Sequence, residues 1–196
     1  MQGRESSMNL ARNLKKLGVR IKPKPAWKTR PEILLCRNVP KPLHGVAPRE
    51  IMGGVWWDKT RKAAYRSTNF HCVACGMWKH KAKYRQWLEA HEVYEIDYLL
   101  GRMTYVETVP LCHLCHNYIH SGRLDALFER GEVSHKKFRD IHNHGDRVLK
   151  EVGLHRLEPP EEFTVEWGDW RLVLNGKEYP PKHKTQKQWE KFYAAH

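Results

Sequence analysis

The sequence predicts an α+β protein: a small strand–strand–helix module with helical and extended basic flanks and a C-terminal β-hairpin. Three observations predict it. Two Cys-x2-Cys pairs, Cys72/Cys75 and Cys112/Cys115, stand 36 residues apart. Inside that gap, residues 88–98 (LEAHEVYEIDY) and 103–111 (MTYVETVPL) alternate loosely, as strands do. Near the C-terminus, Asn175-Gly176 lies between Trp170-Arg-Leu-Val-Leu and Lys177-Glu-Tyr. Asn-Gly is the dipeptide preferred in tight two-residue hairpin turns.

The cysteine pairs read as one four-thiolate site for a structural Zn2+, because two tight turns each present a pair of sulfurs to a tetrahedral ion. An ordinary zinc ribbon leaves about 15–20 residues between its pairs, and the longer gap here has room for a hairpin. With four of the five cysteines in metal spacing, a reducing compartment is favoured over a disulfide framework. Cys36, the fifth, is read as a small buried hydrophobe.

The 196 residues suffice for one ordinary domain with arms or for two small ones. At 40% hydrophobic residues and a mean hydropathy of −0.75 the chain is poor in aliphatic core formers, a deficit that metal-centred folding offsets. No apolar run approaches a membrane span, and the basic N-terminus lacks the apolar stretch of a signal peptide, so a cytoplasmic protein without membrane association is expected. The net charge is +13, unevenly spread. Residues 1–50 carry twelve basic and three acidic side chains (12 − 3 = +9), whereas residues 86–107 carry one basic and five acidic (1 − 5 = −4). A basic body around an acidic pocket suits a protein that clamps a polyanion and holds a cation at the reaction point.

Three segments are expected: 1–50, a basic arm and proline-rich extended stretch; 51–130, the zinc module with a preceding helix; and 131–196, a helix and hairpin extension. The arm has a short helical pattern at Leu10–Leu17, and prolines recur from Pro31 to Pro48. Gly53-Gly54 opens a helix, VWWDKTRKAAYR, with Trp56, Thr60, Ala63 and Ala64 on one face and Lys59, Arg61, Lys62 and Arg66 on the rest. The first knuckle, the two strands and the second knuckle follow, and CHLCHNYIHSGRL begins a helix. Another helix is expected over Ser134–Lys150, and Trp189 and Phe192 mark a short amphipathic segment at the end.

The second knuckle runs directly into His116, Asn117 and His120, and i, i+4 spacing puts His116 and His120 on one helix face. With HCVACG at 71–76, LEAHEV at 88–93 and PLCHLCHNYIHSG at 110–122, residues 70–124 resemble the HNH branch of the His-Me finger (ββα-metal) nucleases. The resemblance implies a first strand bearing a metal ligand and then a general base, and a helix after the second knuckle with further ligands to one divalent ion. His116 takes the helix-ligand place, and His120 is a second ligand or a contact to the scissile phosphate. At the strand the family has Asp-His or His-His where this chain has His91-Glu92. Either His91 is the ligand and Glu92 the base, or His91 is the base and the ion depends on His116, His120 and Asp97. The family's middle Asn falls at Glu107, Asn117 is no obvious replacement, and the orienting bond to the strand residue is unassigned. The literal His-Asn-His at 142–144 is set aside. Three consecutive helical side chains fan out by about 100° each, so His142 and His144 are read as surface or capping residues.

The function expected is therefore metal-dependent endonuclease cleavage of duplex DNA, with structural Zn2+ and a catalytic Mg2+, Mn2+ or Ni2+. Phosphate contacts are expected from the 56–66 helix, the arm, Lys182–Lys187 and Arg123. By analogy the setting is bacterial or phage-encoded. The alternative is a decayed module of the same fold that binds nucleic acid without cutting it.

Overall fold

The computed structural model describes residues 27–156 and 165–194, so the expected helix at Leu10–Leu17 lies outside the described residues. The architecture is α+β, with five α-helices and one four-stranded sheet among the described residues. Helix α1 (Pro48–Ser67) breaks at Gly53, whose φ of 79° and ψ of 171° interrupt it after one proline-led turn. From Gly54 the helix is continuous, which is where the glycine pair placed its start. Ala64 is buried and Trp56 meets Tyr105 edge-on, but Ala63 is exposed, so the buried face is narrower than the one read from the sequence.

Strands β1 (Glu89–Asp97) and β2 (Arg102–Leu111) form the antiparallel hairpin between the knuckles. Asp97 Oδ1 caps the turn by accepting from the N–H groups of Leu99 and Leu100, both at 2.9 Å. The register runs unbroken from Glu89↔Leu111 to Val93↔Glu107 and shifts before Tyr94. Alternation along β1 therefore sends Glu89 and His91 to one face and Ala90 and Glu92 to the other.

After Cys112 the chain enters α2 (His113–Ile119), then α3 (Ser121–Glu129). The single helix expected here is divided at His120, whose ψ of 46° leaves the helical range. Its N–H still donates to His116 O at 3.2 Å, so the i, i+4 pairing of the two histidines survives the break. Helix α4 (His135–Lys150) starts with Ser134 accepting from Lys137 N–H. The C-terminal hairpin forms as expected, β3 (Arg171–Leu174) with β4 (Lys177–Tyr179), turned by Asn175 and Gly176 at φ 51° and 75°. β3 also pairs in parallel with β2, giving the order β1-β2-β3-β4. Helix α5 (Gln186–Ala194) ends the described chain.

Two cores hold these elements. The larger gathers Ile33 and Leu34, both knuckles, Val109, Leu111, Tyr118, Leu124, Ile141, Val148 and Leu149. Each of the three segments expected from the sequence contributes to it or to the smaller core of Leu43, Met103, Trp170 and Leu172. Tyr118 is fully buried against Gly145 of α4, where a Cβ would fall 2.1 Å from the ring. That contact fixes how closely α2 and α4 approach. Cys36 is half-buried against the larger core, not fully buried as the sequence suggested, and burial pushes its thiol up to about 11. Among the described residues, no helix is long and apolar enough to cross a membrane.

Candidate metal centre

Two clusters of side chains that could ligate a metal draw on the second knuckle and the helix it opens. The first is made by the cysteines. Cys72 N–H donates to Met77 O and Gly76 N–H to Cys72 O, both at 2.8 Å, closing the first knuckle with Gly76 at φ 72°. Cys112 precedes α2 and Cys115 sits in its first turn. The sulfurs of Cys72, Cys75, Cys112 and Cys115 all lie within 4.8 Å of one another, with Cys75 and Cys112 at 3.8 Å. A tetrahedral ion with bonds of about 2.3 Å requires sulfurs about 3.8 Å apart. The four thiols therefore fit Zn2+, with Cys72, Cys112 and Cys115 buried and Cys75 half-buried.

His144 is the correction here. It is 7% exposed rather than on the surface, and its Nε2 lies 3.4 Å from Cys115 Sγ. His142 is half-buried between Tyr118 and Phe138. The fan of three consecutive side chains holds, but α4 lies against α2, so its inner residues face the knuckle rather than solvent.

The second cluster is imidazole. His91 from β1, His116 from α2 and His120 from the break after α2 bring ring nitrogens within 4.8 Å of one another, a group able to hold a metal ion. Ring centroids are 5.5, 5.0 and 4.7 Å apart for the pairs 91–116, 91–120 and 116–120. Strand pleating aims His91 at the helix, and one α-helical turn stacks the other two. Burial, then the neighbouring His120 and His116, pushes His91 well below the ordinary histidine range. His120 falls to about 4, first by burial and then by His116, Arg123 and Arg49. Both rings are neutral at neutral pH, the state in which imidazole ligates.

Glu89, unremarked in the sequence, supports this cluster. One carboxylate oxygen accepts from His113 Nδ1 at 2.7 Å and the other from His116 Nδ1 at 2.5 Å. Burial by itself would raise this carboxyl, but the two histidine hydrogen bonds outweigh it and hold it well below the usual carboxylate range. With its proton on Nδ1, His116 presents Nε2 to the cluster, the arrangement that commonly orients a metal-bound histidine. The signal was legible: Glu89 precedes His91 by two residues and so shares its face of the strand.

Glu92 is not brought into the imidazole cluster. It lies on the other face of β1, where Arg49 Nη1 is 4.0 Å from Oε2 and Oε1 is buried with no hydrogen-bond partner among the described residues. Burial raises its carboxyl above the usual value, against the opposing pull of Arg49. The charge of Arg49 also contributes to depressing His120. Glu107 is engaged by Arg30 at 2.7 Å. Asn117 is buried and donates to His113 O at 2.8 Å, so it orients the helix and not the strand. Asp97 is occupied at the hairpin turn. Of the basic residues, Lys59, Arg66 and Arg123 are exposed, whereas Arg61 and Lys62 both pair with Asp58.

No protein-family model, curated protein or solved structure matches this chain.

Proposed function

We propose that this chain is a metal-dependent nuclease of the HNH type, hydrolysing phosphodiester bonds in duplex DNA. The observation that carries the reading is the convergence of His91, His116 and His120 beside a four-thiolate cluster. A strand–strand–helix arrangement linked to a structural zinc positions both.

In this reading His91, His116 and His120 hold the catalytic ion, and Cys72, Cys75, Cys112 and Cys115 hold Zn2+. A divalent ion at the imidazoles supplies positive charge to the scissile phosphate and to the leaving 3′ oxygen. Glu89 keeps the proton on Nδ1 of His116 and so keeps its Nε2 available. Glu92, on the opposite face of β1 with Oε1 buried, is out of reach of a water at the imidazoles, so with His91 given to the ion the proton of the attacking water passes to bulk solvent. Arg49 and Arg123 add positive charge where the phosphate docks. Lys59 and Arg66 extend that charge along α1, and the products are a 3′-hydroxyl and a 5′-phosphate.

The test is incubation of zinc-loaded protein with supercoiled plasmid and Mg2+, Mn2+ or Ni2+, beside His116→Ala and a gel shift at the same salt. Ion-dependent nicking by the parent alone, with equal shifts, is expected. A second reading, a module that binds DNA without cutting, is favoured by Glu107: its pairing with Arg30 leaves nothing in the middle-Asn place to orient the strand residue. Equal shifts with no cutting under any ion would establish that reading instead.

A further inference from the structure

A cleft of about 480 Å³ is lined by Arg61, Tyr65, Phe70, Lys79, Trp87, Leu88 and Glu89. We propose that this cleft takes a single unstacked base of a DNA strand, with its phosphate on the basic rim. This rests on the nuclease reading above and adds to it how a nucleotide beside the cut is held.

Three observations carry it. First, large rings stand exposed at the cleft: Trp87 is 54% exposed and Phe70 39%. A solvated indole and phenyl flanking one opening offer stacking faces to any base. Second, cations interleave with those rings. Lys79 Nζ sits 4.5 Å from the centre of the Phe70 ring and Arg85 lies over Trp87 at 5.4 Å. Arg61, although paired with Asp58, adds a third cation at the wall. Aromatic faces interleaved with lysine and arginine suit a base joined to a phosphate better than a purely apolar ligand. Third, Phe70 is held at φ 60° directly after Asn69 at φ 50°. A bulky side chain in the left-handed region is an outlier that persists only where its surroundings impose it. Here Phe70 N–H donates to Tyr65 O at 2.8 Å and Phe70 O accepts from Lys79 N–H at 3.1 Å, clamping the residue from both sides. The clamp keeps a phenyl ring, 39% exposed, in the lining of the cleft.

Glu89 connects the cleft to chemistry. This carboxylate of the lining also holds His116, so a base in the cleft belongs to a nucleotide next to the one at the ion. A paired base cannot enter, because its edge and both faces are already engaged in the duplex. The cleft therefore favours DNA with an unpaired nucleotide or a locally opened pair.

The experiment measures binding, without added divalent ion, to two fluorescent duplexes: one fully paired and one with a single unpaired 2-aminopurine. The parent is expected to bind the second about tenfold more tightly, with 2-aminopurine emission quenched by stacking. Trp87→Ala, at an exposed position, and Phe70→Asn, which removes the ring but keeps a residue tolerant of left-handed backbone, are each expected to cut that preference to about threefold or less while paired-duplex affinity stays within about twofold. Equal binding of both duplexes by the parent, or a preference that survives both variants, would overturn the inference while leaving plasmid cleavage intact. Binding to neither duplex would overturn this inference and the nuclease reading together.

Discussion

His144 Nε2 lies 3.4 Å from Cys115 Sγ, and its Nδ1 lies 3.2 Å from Arg147 Nη2. A guanidinium can only donate, so Nδ1 accepts and the ring proton sits on Nε2, aimed at sulfur. Helix α4 thereby gives a hydrogen bond to the four-thiolate cluster, whose complex with Zn2+ would carry two excess negative charges in a buried setting.

Removing that donor should loosen the metal. His144→Leu is expected to weaken zinc retention about 10- to 100-fold, the usual effect of losing an outer hydrogen bond to a ligand. Competition with a chromogenic chelator reads it directly. Unchanged release would mean that Arg147 and the backbone suffice without the imidazole.

Glu89→Gln should act on the other cluster. The amide cannot serve as the charged acceptor for both His113 and His116, so affinity for an ion at the imidazoles should drop about 10- to 100-fold. Zinc content at the cysteines should stay constant. Titration with Co2+, followed by its visible spectrum on zinc-loaded protein, separates the two sites.

Gly145→Ala tests the helix contact. Its new methyl would sit 2.1 Å from the fully buried Tyr118 ring, so α2 and α4 must part. Overpacking of this kind costs about 1–3 kcal/mol, and thermal denaturation should show it. An unchanged Tm would mean that the ring moves aside without loss.

A pH effect is expected at α5. Trp189 Nε1–H donates to His44 Nδ1 at 3.3 Å, and His44 Nε2–H donates to Val39 O at 3.0 Å, so the neutral ring is the bonded form. Burial, chiefly, and Lys41 push His44 below the ordinary histidine value, although the Val39 bond opposes them. The unfolded chain therefore binds this proton at higher pH than the folded one. Stability from this site is complete above about pH 6.5 and declines as pH falls from there toward the folded value. Amide protection across 186–194, measured relative to the intrinsic exchange rate at each pH, should fall between pH 7 and 5 and stay flat in His44→Gln, which cannot titrate.

The residues of the two candidate metal clusters were legible because their signals are local. Cys-x2-Cys is a single turn, His116 and His120 are one helical turn apart, and Asn175-Gly176 is a complete hairpin instruction. Each needs only backbone geometry within a few residues. The same holds for the strands, which fall at 89–97 and 102–111, close to the ranges their alternation predicts. What the sequence left open was decided by contacts between segments distant in the chain. Whether His91 or Glu92 belongs with His116 depended on which face of β1 meets α2, and that face follows from Leu111 and Val109 packing into the core beside His91. His144 reads as a surface residue until α4 is laid on α2, a placement set by Gly145 against Tyr118. Nor does any local pattern announce the parallel pairing of β3 with β2. Short-range geometry is written in the order of residues, whereas the partners of a face are settled only when burial of the whole chain selects one packing.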